Sequence, residues 1–181
     1  MNCAPLPPRS FCLIRHGETT ANANDIIAGV TDVPLTQKGR DQAQALSGRN
    51  WPEPIALYAS PMARACHTAQ LAFPDSSFTQ HAGLCERNWG VFEGQPLCRQ
   101  PERETTPDQG ESWPDMLARV QETITEICAA SDGVLPVLVC HSGIIRAARV
   151  LWTTGDVGQR PPNATPLLFH RADNRMMEKT L

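Results

Sequence analysis

Two apolar runs in this chain stop abruptly at a histidine, and that constrains the fold more than any other feature. Phe11-Cys12-Leu13-Ile14 ends at Arg15-His16-Gly17, and Val134 to Cys140 ends at His141. Runs this short and this continuously apolar suit central strands of a parallel sheet, covered on both faces. Between them the pattern alternates. Thr36 is a plausible helix cap before a segment rich in helix formers, and Ile55–Ala59 reads as a strand. Arg64–Ala72 reads as the helix after it. Met116, Leu117, Val120, Ile124, Ile127 and Cys128 recur at helical spacing, so 115–130 reads as an amphipathic helix. Ile144–Leu151 reads as another helix, and Thr165–Phe169 as a last, edge strand. Such alternation predicts an α/β fold: a three-layer α/β/α sandwich with a mostly parallel central sheet.

At 181 residues a single domain, 1–181, is the default. Net charge of -3 gives no reason to expect nucleic acid or an anionic membrane as partner. No apolar stretch approaches the roughly 20 residues that span a bilayer. The first ten residues lack the apolar core of a secretion signal, which predicts a cytoplasmic location. The 7 cysteines are odd in number and form no Cys-x-x-Cys pair, so they read as small core residues in a reducing compartment. No ligand cluster of metal-site spacing is present, and no cofactor is expected. Segment 92–114 is polar, carries Pro96, Pro101, Pro107 and Pro114, and lacks periodicity. It reads as a loop or lid that sets specificity.

Ligand sites in open α/β sheets lie at the carboxyl ends of strands, where Arg15, His16 and His141 stand. Gly17 reads as a turn that lets the backbone pass close to a ligand. Arg15 presents a planar fork of donors suited to phosphate oxygens, and a neutral histidine is a nucleophile. Alone, His16 would more often be a satisfied core histidine; Arg15 and the glycine reverse those odds.

Three further segments strengthen the reading: Ser60-Pro61-Met62-Ala63-Arg64-Ala65-Cys66-His67-Thr68-Ala69, then Glu86-Arg87-Asn88-Trp89-Gly90-Val91-Phe92-Glu93-Gly94, then Val139-Cys140-His141-Ser142-Gly143. In this order, with Arg15-His16-Gly17-Glu18-Thr19, they resemble the histidine phosphatase superfamily, the phosphoglycerate mutase-like family, over about residues 11–150. The resemblance implies metal-independent phosphoryl transfer to His16, a phosphohistidine, and its hydrolysis. Arg15, Arg64 and His141 would be the cations answering the phosphate. At about 4 Å and an effective dielectric near 20, each full charge contributes roughly 4 kcal/mol before desolvation. Glu86 matches the family's proton donor, with Glu18 and Glu93 as nearby rivals. Asn22 matches a phosphate-binding position, and the backbone at Gly29 and the amide of Ser142 join the expected phosphate contacts. Ser142 stands where many members have glycine. His67, His81 and His170 match nothing and read as structural or exposed, while Trp89 and Trp113 suit either core or substrate mouth.

Within the family, sugar-phosphate mutases carry a long insertion after the acid and an adjacent arginine pair. Gly110 lies only 24 positions after Glu86 here, and no Arg-Arg dipeptide occurs. Phe92-Glu93-Gly94 resembles the phosphatase branch, so the expectation is a phosphatase acting on a small phosphorylated metabolite. A mutase is the alternative, and a phosphate-recognising binding protein without turnover is the alternative from another class. Gly110-Glu111-Ser112 and the short length also resemble α-ribazole phosphatases, through features shared too widely to fix a substrate.

Overall fold

The computed structural model describes residues 5–52, 54–173 and 175–181. Strands β1 (Phe11–Arg15), β2 (Ile55–Ala59), β3 (Thr79–Gln80), β4 (Leu135–Cys140), β5 (Pro166–Ala172) and β6 (Arg175–Thr180) form one sheet in the order β3-β2-β4-β1-β5-β6. β3, β2, β4 and β1 pair in parallel; β5 runs antiparallel to both β1 and β6. Helices are α1 (Thr20–Ala23), α2 (Gln37–Gln44), α3 (Ala63–Ala72), α4 (Trp113–Ala130) and α5 (Ser142–Trp152).

Alternation along the buried strands divides the core into two layers. Phe11 and Leu13 of β1, with Leu138 and Cys140 of β4, pack among the apolar residues of α4 and α5. Cys12 and Ile14, with Val137 and Val139, pack on the other face with Ala65, Ala69 and Ala72 of α3. Local signals set the helix starts. Thr36 accepts from Gly39 N at the head of α2, and Ser112 accepts from Asp115 N at the head of α4, where Pro114 occupies the first turn. Thr19 and Asn22 close a reciprocal cap on α1.

The far side of the sheet departs from expectation. The strand at 166–172 is not the edge: β6 folds back on it as a hairpin and takes that position. β6 alternates one buried methionine, Met176, with exposed Arg175 and Met177, so little apolar burial marks it in the sequence. β3, at the opposite edge, is two exposed residues long and carries no periodic signal.

β1 and β4 are adjacent and in register, Arg15 opposite Cys140, so both apolar runs end side by side. The pairing continues one step further through His16 N to Cys140 O at 3.0 Å and Ser60 N to Val139 O at 2.9 Å. Thus β1, β2 and β4 deliver His16, Ser60 and His141 to one end of the sheet, where the parallel strands finish.

Candidate active site

A cavity of about 240 Å³ opens at these strand ends. Its lining includes Arg15, His16, Asn22, Glu86, Ser142 and Gly143, together with Trp89 and Arg103 from the chain that follows Glu86.

His16 is buried, and its Nδ1 lies 2.8 Å from the Gly17 carbonyl. A carbonyl only accepts, so Nδ1 carries the proton and Nε2 keeps its lone pair. Burial, then the charges of Arg64 and Arg15, hold its pKa well below 6.5. The ring is therefore neutral and nucleophilic at neutral pH. Gly17 serves differently from the expectation: its φ is not in the left-handed region. A Cβ there would collide with the carbonyl of Gly39 in α2, so the glycine permits a close approach of two segments. Its N–H donates to Thr68 Oγ1 at 3.0 Å, while Thr68 Oγ1 donates to Arg64 O at 2.7 Å. That explains the threonine four residues after Arg64.

Glu86 is fixed at the start of α5. Gly143 N donates to Oε2 and Arg87 N to Oε1, both at 2.9 Å. A Cβ on residue 143 would strike the Glu86 carboxylate, so glycine leaves room for that carboxylate in its observed position. Asn22 also lines the cavity; its Oδ1 accepts from Thr19 N at 3.2 Å and Asn163 Nδ2 at 3.4 Å, leaving its Nδ2 for a ligand.

The rival carboxylates are committed elsewhere. Glu18 pairs with Lys38 at 2.7 Å, which, with Thr36, pulls its pKa down. Glu93 accepts from the N–H groups of Gly29, Val30, Thr31 and Trp89 and from Thr31 Oγ1.

Three expected phosphate contacts stand elsewhere than at the cavity wall. Gly29 is not part of the lining: its N–H is held by Glu93 and its carbonyl accepts from Arg64 Nη2 at 2.6 Å. Arg64 is 1% exposed and sits one layer back. Its guanidinium donates to the carbonyls of Gly29 and Thr31 and, through Nε, to His141 Nδ1 at 3.3 Å. Local spacing identifies the helix, not the direction its arginine takes. His141, 0% exposed, lies behind His16 with ring centroids 5.2 Å apart. Because Nδ1 accepts from Arg64, neutral His141 carries its proton on Nε2, which donates to Ser60 Oγ at 2.8 Å. Burial, then Arg64 and His16, push its pKa well below 6.5, which favours the neutral ring. These groups form a chain: Glu93 holds the 29–31 loop, the loop holds Arg64, Arg64 orients His141, and His141 backs His16.

Residues that the sequence reading did not single out complete the site. Arg103, Arg146 and Arg160 line the cavity with Leu97 and Gln100. Arg87 is fully buried and donates to the carbonyls of Arg103, Thr105 and Glu111, which ties down the segment following Glu86. Its guanidinium lies 4.5 Å over the Trp89 ring. Trp89 lines the cavity, whereas Trp113 belongs to the core and carries Arg103 at 4.8 Å on its face. His67 is exposed, and His81 faces Glu126 at 3.6 Å. Among the described residues, no group of three or more His, Cys, Asp or Glu side chains is placed to hold a metal ion. No helix of the described residues is long and apolar enough to cross a membrane.

The chain is similar to known proteins over most of its length. The family model for the histidine phosphatase superfamily (branch 1) matches residues 11–165. A metal-independent phosphoserine phosphatase of Arabidopsis thaliana is 28% identical over 90% of this chain and 76% of that protein. An adenosylcobalamin/alpha-ribazole phosphatase of Salmonella typhimurium is 29% identical over 74% of each. The crystal structure of a phosphoglycerate mutase from Thermus thermophilus superposes with a TM-score of 0.75 at 28% identity, covering 95% of this chain and 98% of that one.

Proposed function

This chain belongs to the histidine phosphatase superfamily, and we propose that within it the protein is a phosphatase. It hydrolyses a small phosphomonoester through a phosphohistidine on His16, without a metal ion. The observation that carries the proposal is a buried, neutral His16 whose Nδ1 is locked on Gly17 O, sharing one cavity with Arg15 and Glu86.

The substrate's phosphoryl group enters against Arg15, Asn22 and the amide end of α5. His16 Nε2 attacks phosphorus in line with the ester oxygen; the P–O bond breaks as the N–P bond forms. The developing imidazolium keeps its Nδ1 proton on Gly17 O. Negative charge passes to the leaving oxygen, which takes a proton from Glu86. The same carboxylate, now ionised, accepts a proton from water as that water attacks the phosphohistidine, releasing inorganic phosphate and restoring His16. Arg15 stays in place throughout and answers the charge spread over the equatorial oxygens. Arg64 supports the step from behind, through His141 and the 28–31 backbone. The chain's composition and pattern support a cytoplasmic protein acting on a soluble phosphorylated metabolite.

One observation favours a second reading. The arginine excess at the cavity would also retain a doubly charged intermediate, as a phosphoglycerate mutase must. The short segment after Glu86 and the absence of an Arg-Arg dipeptide favour hydrolysis. Incubation with 3-phosphoglycerate and with an alkyl phosphate separates them. Release of inorganic phosphate from both is the expected result; isomerisation of 3-phosphoglycerate without release would identify a mutase, and neither product would leave a binding protein.

A further inference from the structure

Charge in the cavity exceeds what a single phosphoryl group requires. Arg15, Arg103, Arg146 and Arg160 line it, and Glu86 is the only acidic residue among the lining. A phosphoryl dianion and Glu86 together leave at least one positive charge unanswered, and two when Glu86 is protonated as the proposed acid. None of the four arginines is within 4.0 Å of a carboxylate among the described residues. The Nε atoms of Arg15 and Arg146 are buried without a hydrogen-bond partner. Uncompensated cations crowded at one site repel one another, an arrangement that a bound anion relieves. The repulsion registers in the groups themselves. After burial, Arg160 is the next cause holding Arg15 at about 10, and Arg103 and Arg160 lower Arg146.

The four are not equivalent in position. Arg15 adjoins His16 and belongs to the reacting phosphoryl group. The others converge from separate elements: Arg103 from the segment after Glu86, Arg146 from the second turn of α5, and Arg160 from the loop before β5. Ser142 opens α5 at the reacting end, and Arg146 lies four residues on, about 6 Å along the axis. Arg103 rests on Trp113, Arg146 Nη2 reaches Gly158 O at 3.3 Å, and Arg15 Nη1 donates to Pro161 O at 2.9 Å, next to Arg160. Arg103, Arg146 and Arg160 thus line the same cavity as His16 from three separate elements, with Arg146 rooted about 6 Å further along α5 than its reacting end.

We propose that Arg103, Arg146 and Arg160 form a second anion subsite, and that the physiological substrate is a phosphomonoester carrying a further carboxylate or phosphate on a short spacer. This deepens the phosphatase reading and rests on it. A substrate whose remainder is neutral would leave these arginines unanswered. Arginine, with its planar fork, suits either anion; the residual charge can accommodate the second phosphate as well as the carboxylate.

The test uses three probes with one carbon skeleton: propyl phosphate, 3-(phosphonooxy)propanoate and propane-1,3-diol bisphosphate. Phosphate release by the wild-type protein should show kcat/KM for the charged probes about 10- to 100-fold above propyl phosphate, the scale of hydrogen bonds to a charged partner. The better of the two charged probes identifies the second anion. Arg103→Gln, Arg146→Gln and Arg160→Gln should each reduce that preference ratio several-fold. Arg160 is in an exposed loop, so its variant keeps the test valid if an Arg146 variant fails to fold. Equal kcat/KM for all three probes would overturn the subsite while leaving the phosphatase reading intact. Absence of phosphate release from every probe would instead count against the phosphatase. Calorimetric binding of the same probes then decides the subsite: tighter binding of the charged pair supports it, and equal affinity overturns it.

Discussion

Replacing Glu93 by Gln tests the framework behind the catalytic pair. The two Glu93 oxygens receive five donors: three amides of the 29–31 loop, the amide of Trp89 and the hydroxyl of Thr31, at 2.7–3.1 Å. Gln is nearly isosteric but has one accepting oxygen. Whichever way it is turned, its NH2 faces two or three donors that it cannot satisfy. Hydrogen bonds to a charged group contribute about 1.5–3 kcal/mol each, and an amide left unpaired at a half-buried site costs a similar amount. The loop relaxes and water reaches part of it, so we expect a net loss of about 2–4 kcal/mol. For a protein of this size that lowers Tm by roughly 4–16 °C. The loop's carbonyls hold Arg64, so kcat should fall as well. Because Glu93 transfers no proton, kcat should fall by the same factor for p-nitrophenyl phosphate and for an alkyl phosphate. Thermal or urea denaturation gives the first quantity and paired kinetics the second. A Glu93→Gln protein with unchanged stability would refute the anchoring role, and a loss confined to the alkyl phosphate would make Glu93 the acid.

Other outcomes follow from the same geometry. Gly143→Ala should displace the Glu86 carboxylate and slow alkyl phosphates far more than p-nitrophenyl phosphate, whose leaving group needs no proton; equal slowing would remove Glu86 from proton transfer. His16 and His141 both have pKa values held well below 6.5 in the folded state, so as pH falls below about 6.5 the unfolded chain takes up protons that the native one refuses. Stability should therefore decline toward acid, by up to about 1.4 kcal/mol per pH unit for each histidine, and neither should contribute above about pH 7.5. Urea midpoints between pH 7.5 and 5.5 measure this, and a flat profile would contradict the buried neutral assignment. EDTA should leave turnover unchanged while vanadate inhibits by adopting five-coordinate geometry at His16; activity lost to EDTA and restored by Mg²⁺ or Zn²⁺ would contradict the metal-free reaction.

Much of this architecture is legible locally. The runs ending at Arg15 and Cys140 are apolar throughout because both sheet faces are covered, and Thr36 marks a helix start by its own side-chain bond, whereas the short helix capped by Thr19 lies in a stretch that reads as a loop. Long-range convergence is not legible in this way. Arg103, Arg146 and Arg160 look like surface arginines in their own segments, and only the folded chain brings them to one cavity. Gly17 looks like a turn residue; its reason lies with Gly39 in another element. Arg64 and His141 sit on the predicted elements, but their side-chain directions depend on the 28–31 loop and Ser60. β6 escapes notice because one buried methionine among exposed polar residues leaves almost no periodic signal.

The central claim is that His16 carries the phosphoryl group. Mixing the protein with ³²P-labelled phosphomonoester, quenching within milliseconds and mapping the label tests it directly. The account predicts an acid-labile, alkali-stable phosphoramidate on the peptide containing His16, absent from a folded His16→Ala protein that has also lost turnover. Substantial hydrolysis by His16→Ala, or label on any other residue, would contradict it.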